Sequence, residues 1–567
     1  MPISFSPPGA VATDAVHHAS AAAGNVEATT NAIAVLNAVL DGTSPYQRIL
    51  LRAAAGAGKS YALRRMVEDA LAHPRSTRVG VTAFANKQVF PLAEALGSAL
   101  GRDKVCLYVS KEKLGSIADS LLAAATVTSD YRLIPETTEV LLGTSHMLGY
   151  TARYLRARFG VDIGEPLFDV LFVDEAWQLP LHRYRTVERL APLVVGVGDV
   201  GQLPPLDPGQ NPWRGDPGYN PYRAWPTAYE TNAETWVTDL PAVWRPTAAQ
   251  LPLWRAFYGD WDRLDCVAAP GDRSLTLPGV DSESGDVWAQ VATGVPTLLE
   301  VDGLADSEAA DLDQPLLAVL EDLLADLLAD GFEVHEKRYD AAGSPESDVT
   351  ISLSQPVGDP LIAVLATRNQ AVDDAAEIVA RLTARFDLPA GVIVASTVDS
   401  WQGQTNRITV AIHPLSGAFE LDEFNSAFGR LAVTATRATH GLLMLARAGL
   451  DDLLATAPAR PGTPLGEPGT RQLPRQTHQR ILECFARGTL EVSATDSCLT
   501  SGVWFSGSHL GSGIRPTSPQ NLDCTPIGFE DEWSPTAGTT TDRVQDLSQR
   551  RSAAVATYRA HRAQRQR

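Results

Sequence analysis

The stretch Arg48-Ile49-Leu50-Leu51-Arg52-Ala53-Ala54-Ala55-Gly56-Ala57-Gly58-Lys59-Ser60 decides how the chain is read. An apolar run of strand type enters a turn of small residues, and the pattern from Ser60 to Ala72 is helical. Small residues let consecutive backbone N–H groups curl around a phosphate, and the N-terminus of the next helix adds positive dipole. Lys59 is placed to reach the β- and γ-phosphates of a nucleotide, and the Ser60 hydroxyl to hold Mg²⁺. Ala55, Gly56, Ala57, Gly58, Lys59, Ser60 and Tyr61 form the candidate nucleotide loop. The strict pattern has Gly where Ala53 stands, so taken alone the segment is also readable as a Gly-rich turn without a ligand.

A second strand, Phe168-Asp169-Val170-Leu171-Phe172-Val173, ends in Asp174-Glu175-Ala176-Trp177-Gln178. Two adjacent carboxylates at a strand tip suit nucleotide hydrolysis: one can hold the metal shell and the other can polarise the attacking water. By itself this is also an ordinary acidic strand end, but after a phosphate loop the bland reading loses its force. A third strand, Pro192–Gly198, leads into Gly198-Asp199-Val200-Gly201-Gln202-Leu203-Pro204-Pro205. The Gln202 amide would then sit at a sheet edge, where it can touch a γ-phosphate or its water; taken alone, a Gly-Asp turn with two prolines is also readable as just a loop.

Further strand-like runs at Arg78–Ala83 and Glu139–Gly143 alternate with helical patterns. The same alternation resumes at 360–367, 390–396, 408–412 and 442–446. Strands alternating with helices imply parallel sheets covered on both faces, here two of them. The expected organisation is a loose arm over 1–27 and a first α/β domain over 28–225 with an insertion at about 90–138. A second domain follows over 226–452, interrupted by an acidic insertion at about 266–348, and then a C-terminal extension over 453–567.

The 567 residues exceed what one core organises, and 44% apolar with 20% charged residues is ordinary globular composition. No apolar run is long enough for a membrane span, and Met1 to Asn25 lacks the basic start of a secretory signal. Five scattered cysteines form neither a disulfide framework nor a zinc site, which points to a soluble protein of a reducing cytoplasm. The net charge of −20 has the wrong sign for a protein that coats nucleic acid. Acidity is uneven, however. Residues 300–336 hold twelve carboxylates and neither Lys nor Arg, whereas residues 543–567 hold seven Arg against one Asp. The Leu spacing within 315–330 reads as a helix packed on one side with a solvated acidic face. The Arg-rich end reads as a solvated tail, with an auxiliary nucleic-acid contact as the alternative.

Taken in order, these segments resemble a superfamily 1 helicase of the type B branch. DEAWQ at 174–178 is similar to that branch's DEAxQ, and GDVGQLPP at 198–205 to its GDxxQLPP. Residues 82–87 (TAFANK), 143–148 (GTSHML), 240–246 (LPAVWRP), 397–404 (TVDSWQGQ) and 430–438 (RLAVTATRA) resemble its later motifs. The resemblance spans about 53–446 and rests on the order of the motifs more than on any one. It implies two RecA-like domains of the P-loop NTPase class with ATP and Mg²⁺ bound between them; the insertions are read from the pattern along the chain, and the Pro-, Gly-, Ser- and Thr-rich composition beyond 452 gives the expected poorly ordered C-terminal tail. It also implies roles. Lys59 and Ser60 bind phosphate and metal; Asp174 holds the metal; Glu175 is the general base; Gln202 senses the γ-phosphate. Arg245 and Arg437, both assigned to the second domain, act as arginine fingers. Gly403 lets the backbone approach the γ-phosphate, and Trp244 stacks on adenine unless it is simply a core aromatic.

The implied partner is single-stranded nucleic acid, DNA favoured over RNA, contacted by Thr82, Phe84, Asn86, Thr144, His146 and Thr397. His146 taken alone is also readable as an ordinary loop histidine. The expected activity is ATP-driven 5′→3′ translocation with unwinding. A translocase that does not unwind and a nucleotide-gated binding module are the alternatives. A monomer is compatible with this reading, and a protein partner could dock on the acidic stretch or the tail.

Overall fold

The first sheet is wholly parallel and grows from the phosphate-loop strand outward. Its strands are β1 (Arg48–Ala53), β2 (Val79–Ala83), β3 (Val105–Tyr108), β4 (Thr126–Thr128), β5 (Val140–Thr144), β6 (Val170–Asp174), β7 (Leu193–Gly198) and β8 (Thr235–Leu240). They lie in the order β4-β3-β5-β2-β6-β7-β1-β8. This computed structural model describes residues 3–492, leaving out 13, 203–204, 206–210, 214–218, 260, 280–283, 310–311, 423–424, 426–427 and 458–473.

Successive side chains of a strand point to opposite faces, so a strand covered on both sides is apolar throughout. That is what the sequence shows. Ile49 and Leu51 enter one core while Leu50 enters the other, and Val140 and Leu142 separate from Leu141 in the same way. Gly80 and Gly196 are small because bulky rings press on them: a Cβ on Gly80 would meet Phe168, and one on Gly196 would meet Trp225.

After β9 (Ala242–Val243), β10 (Asp265–Cys266) and β11 (Arg273–Thr276), the chain enters its second sheet with β12 (Thr297–Asp302). A hairpin of β13 (Glu333–Tyr339) and β14 (Pro345–Ser352) pairs antiparallel with β11. The second sheet is completed by β15 (Ile362–Ala366), β16 (Ile393–Thr397), β17 (Asn406–Ile412), β18 (Ala438–Arg447) and β19 (Ala486–Glu491). Its order is β16-β15-β17-β18-β12-β19, again all parallel. The two helix-flanked parallel sheets are the pair of RecA-like α/β units expected.

Three boundaries differ from the sequence reading. The N-terminal segment is not a loose arm: Ser6 pairs with Arg487, and a helix runs over His18–Leu40. The first sheet does not stop at 225, because β8 pairs with β1 along its whole length, Leu240 opposite Ala53. The acidic stretch is not an insertion either. β12 lies inside the second sheet between β18 and β19, and the helix Gln314–Asp330 buries Leu316, Leu317, Leu320, Leu324 and Leu327 in its core. The acidic residues escape burial by standing on the other helical face, where Glu321 pairs with Arg381. The expected poorly ordered tail beyond 492, with its Arg-rich end, lies outside the described residues. Among the described residues no helix is long and apolar enough to cross a membrane.

Candidate active site

Parallel pairing decides where the chemistry collects. β6, β7 and β1 are neighbours that all point the same way, so the loops after them emerge at one edge. Those loops carry Asp174 and Glu175, Gln202, and the phosphate loop, respectively. The loop itself bends through left-handed glycines, Gly56 at φ +73 and Gly58 at φ +90, a region that L side chains avoid. It is fastened from outside. Asn25 donates to the Ala57 and Ala242 carbonyls, Trp254 Nε1 donates to the Ala55 carbonyl, and Tyr258 Oη accepts from the Ala55 N–H. Ser60 and Tyr61 open the helix Lys59–Ala72 with exposed side chains.

Lys59 Nζ donates to Glu175 Oε1 at 2.8 Å. Burial works against the ammonium, but the carboxylates of Glu175, Asp199 and Asp174 outweigh it and hold Lys59 above its ordinary pKa. Burial, with the Glu175 charge beside it, pushes the Asp174 carboxyl up. One Asp174 oxygen, Oδ1, is buried without a hydrogen-bond partner. Such an atom costs stability unless something fills it, and a divalent cation shared with phosphate oxygens fits. Among the described residues no three His, Cys, Asp or Glu side chains converge to hold a metal alone. A Mg²⁺ ion that takes one or two protein oxygens and completes its shell with phosphates and water needs no such cluster. Glu175 itself sits at φ 48 and ψ 47, a left-handed conformation that costs an L-residue about 1–2 kcal/mol. Its carboxylate is held at both oxygens, since Gln178 Nε2 donates to Oε2 at 3.1 Å.

Trp244 and Arg245 arrive directly behind β8 and β9, so Arg245 follows from the first sheet rather than the second domain, a correction to its expected origin. Trp244 N–H donates to the Gly56 carbonyl at 2.8 Å, and its half-buried ring meets Tyr339 edge-on. A Cβ on Gly56 would collide with Arg245 Cβ, so glycine is required there for packing as well as for φ. Arg437 does come from the second domain, between the helix Phe428–Ala435 and β18. It is 1% exposed and donates only to neutral groups: the Val433 and Gln404 carbonyls and the Thr436 hydroxyl. Burial first, then Arg245 nearby, pulls its guanidinium down to about 9. Arg245 donates to the Thr436 carbonyl, and burial lowers it too. Among the described residues neither arginine has an ion-pair partner, an arrangement suited to an incoming polyanion.

Gln202 is buried, and its Oε1 accepts from Gln402 of the second domain at 3.3 Å. Gly403, at φ +89, has open space around it. Sequence reasoning assigned no role to Asp199, which accepts from the Gly201 N–H and from the Tyr258 hydroxyl and keeps its other oxygen buried without a partner. Asp199 stood inside the quoted GDVGQ segment and was legible; Asn25, Tyr258 and Gln88 carried no local signal.

The six candidate nucleic-acid residues divide. Phe84 is 41% exposed and His146 is exposed, stacked on Tyr150. Asn86 begins the helix Asn86–Leu100, and Thr397 ends β16, where its hydroxyl accepts from the Ser400 N–H. Lys87 reaches across the cleft to the Asp399 carbonyl at 3.1 Å. Thr144 is mostly buried and caps the helix Ser145–Phe159 by accepting from the Met147 N–H. Thr82 must be corrected: it lies inside β2 with 0% exposure and cannot touch a polymer.

The chain matches no protein-family model and no curated protein. Solved structures similar to it include the PRRSV helicase, with 13% identity, a TM-score of 0.33, and 73% of this chain and 56% of that one covered. Arterivirus nonstructural protein 10 (helicase) gives 14% identity, a TM-score of 0.34, and coverages of 76% and 63%. The Pyrococcus furiosus Hef helicase domain gives 11% identity, a TM-score of 0.31, and coverages of 74% and 96%. The chain thus spans less than two thirds of the length of the two viral helicases.

Proposed function

We propose that the protein is an ATP-driven motor on single-stranded nucleic acid, a superfamily 1 helicase of the type B branch moving 5′→3′ on DNA. The observation that carries this reading is the convergence of Lys59, Asp174, Glu175 and Gln202 with Arg245 and Arg437 at the junction of two parallel-sheet domains. Lys59 and the loop N–H groups bind phosphates, Ser60 and Asp174 hold Mg²⁺, and Glu175 takes the proton from the attacking water. Bound Mg²⁺ would neutralise charge on the phosphate oxygens. Arg245 and Arg437, without an ion-pair partner among the described residues, are proposed to offset charge on the transferred phosphoryl group. Gln202 and Gln402 bridge the domains, so a change at the nucleotide shifts one domain on the other. Phe84, Asn86, His146 and Thr397 are proposed to line the strand. Their hydroxyl, amide and ring contacts tolerate an acidic exterior.

The test is steady-state ATP hydrolysis without polymer, with single-stranded DNA and with single-stranded RNA, beside Glu175→Gln. Stimulation by one polymer, abolished in the variant, supports the motor and chooses its track. Intact ATP binding with no stimulated turnover removes it.

A further inference from the structure

One chain of hydrogen bonds runs from the proposed strand-binding loop to the general base. The Ala85 N–H donates to Gln88 Oε1 at 2.9 Å, and Gln88 Nε2 donates to Gln178 Oε1 at 2.7 Å. Gln178 Nε2 then donates to Glu175 Oε2 at 3.1 Å, while Lys59 occupies Oε1 at 2.8 Å. An amide's oxygen and nitrogen are usually assigned by their partners. Here a backbone N–H at one end and a carboxylate at the other permit only one orientation for both amides. Both side chains are half-buried, which shields the bonds from competing water.

We infer that Gln88 and Gln178 are positioning residues that hold Glu175 in reserve until nucleic acid binds, an inference that rests on the function proposed above. Gln178 stays on Oε2 when a nucleotide draws Lys59 from Oε1, and a donor on the charged carboxylate lowers its basicity toward water. Ala85 is the residue before the helix Asn86–Leu100, between Phe84 and Asn86, two proposed strand contacts. Lys87 ties the same segment to Asp399 of the second domain. A strand gripping both domains therefore pulls on Ala85 to Gln88. Moving Gln88 withdraws the donor from Gln178, Gln178 turns away, and Glu175 Oε2 is freed. Gln178 belongs to the quoted DEAWQ segment, yet the link to Gln88, 90 positions away, exists only in the fold.

The test uses the full chain and two variants. Gln88→Glu keeps an acceptor for the Ala85 N–H but cannot donate to Gln178, so the first turn of the helix is retained while the relay reverses. Gln178→Ala removes the contact to Glu175. ATP hydrolysis is measured without polymer and with saturating oligothymidylate or oligouridylate, alongside ATP-analogue and oligonucleotide affinities. The expected result is an unstimulated rate raised by about threefold or more in both variants, with the stimulated rate little changed, so the stimulation ratio falls. Affinities should stay within about twofold. A wild-type ratio in both variants overturns the relay, as does an equal loss of both rates, the mark of a merely structural role. A wild-type protein that neither polymer stimulates overturns the motor reading itself, and the relay with it.

Discussion

Lys59 and Glu175 are each other's partner across 2.8 Å, the phosphate-loop cation on the proposed general base. In the proposed mechanism each gives up the other when a nucleotide enters, the phosphates taking the ammonium and the attacking water the carboxylate. Replacing Glu175 by Gln should cut turnover by about 10²–10⁴-fold while nucleotide binding persists. Replacing Lys59 by Ala should instead weaken nucleotide binding, as measured by fluorescence titration with an ATP analogue.

Gly56→Ala tests the packing of the loop on Arg245. The new Cβ would stand at φ +73 and against the Arg245 side chain. The strain should cost about 1–3 kcal/mol of stability and pull Trp244 and Arg245 from the loop. Thermal unfolding and nucleotide titration should both show the loss.

Arg437→Lys keeps the charge but loses the fork that spans Val433, Gln404 and Thr436. Hydrolysis should fall by about 10³-fold with nucleotide affinity nearly retained, if Arg437 acts on the reaction as an arginine finger does. Equal losses in affinity and rate would place it in binding instead.

Leu320→Ala tests whether the acidic stretch belongs to the core. Leu320 is 0% exposed among the leucines of the helix Gln314–Asp330. The substitution should lower the unfolding free energy by about 2–5 kcal/mol in a urea titration. A removable insertion would tolerate it.

His413 supplies a pH test. Burial first, then His478 and Arg487, pulls its imidazole down to about 3, and the Leu415 N–H donates to its Nδ1. The unfolded chain takes up this proton below about pH 6.5 and the folded chain does not, so stability present above that pH drains away as pH falls. The loss is about 1.4 kcal/mol per pH unit below the unfolded value. Unfolding midpoints near about pH 7.5 and about pH 5.5 should differ less in His413→Gln than in the wild type.

The strand ends of the candidate site were legible because each pairs an apolar run with a polar tip, as in β6 ending at Asp174. Thr82 was misjudged because a motif names positions in order and says nothing of which way a strand residue points; β2 turns it inward. Charge misled the reading of 266–348. Its one-sided acidic helix was legible, but the stretch is no insertion: β12, with Leu298 and Leu299 ahead of Glu300, lies inside the second sheet.

By itself the sequence determined the parallel α/β class, the turn of small residues after β1 and the Asp174–Glu175 tip of β6. These are local: apolar runs, small residues in a turn and polar strand ends act through adjacent backbone. Tertiary structure alone decided that β6, β7 and β1 lie side by side, and that Arg245 follows the first sheet. It also decided that Asn25 and Tyr258 close on the loop and that Gln88 meets Gln178. Pairing partners and side-chain contacts between residues far apart in sequence depend on which surfaces bury together, and no local pattern encodes that.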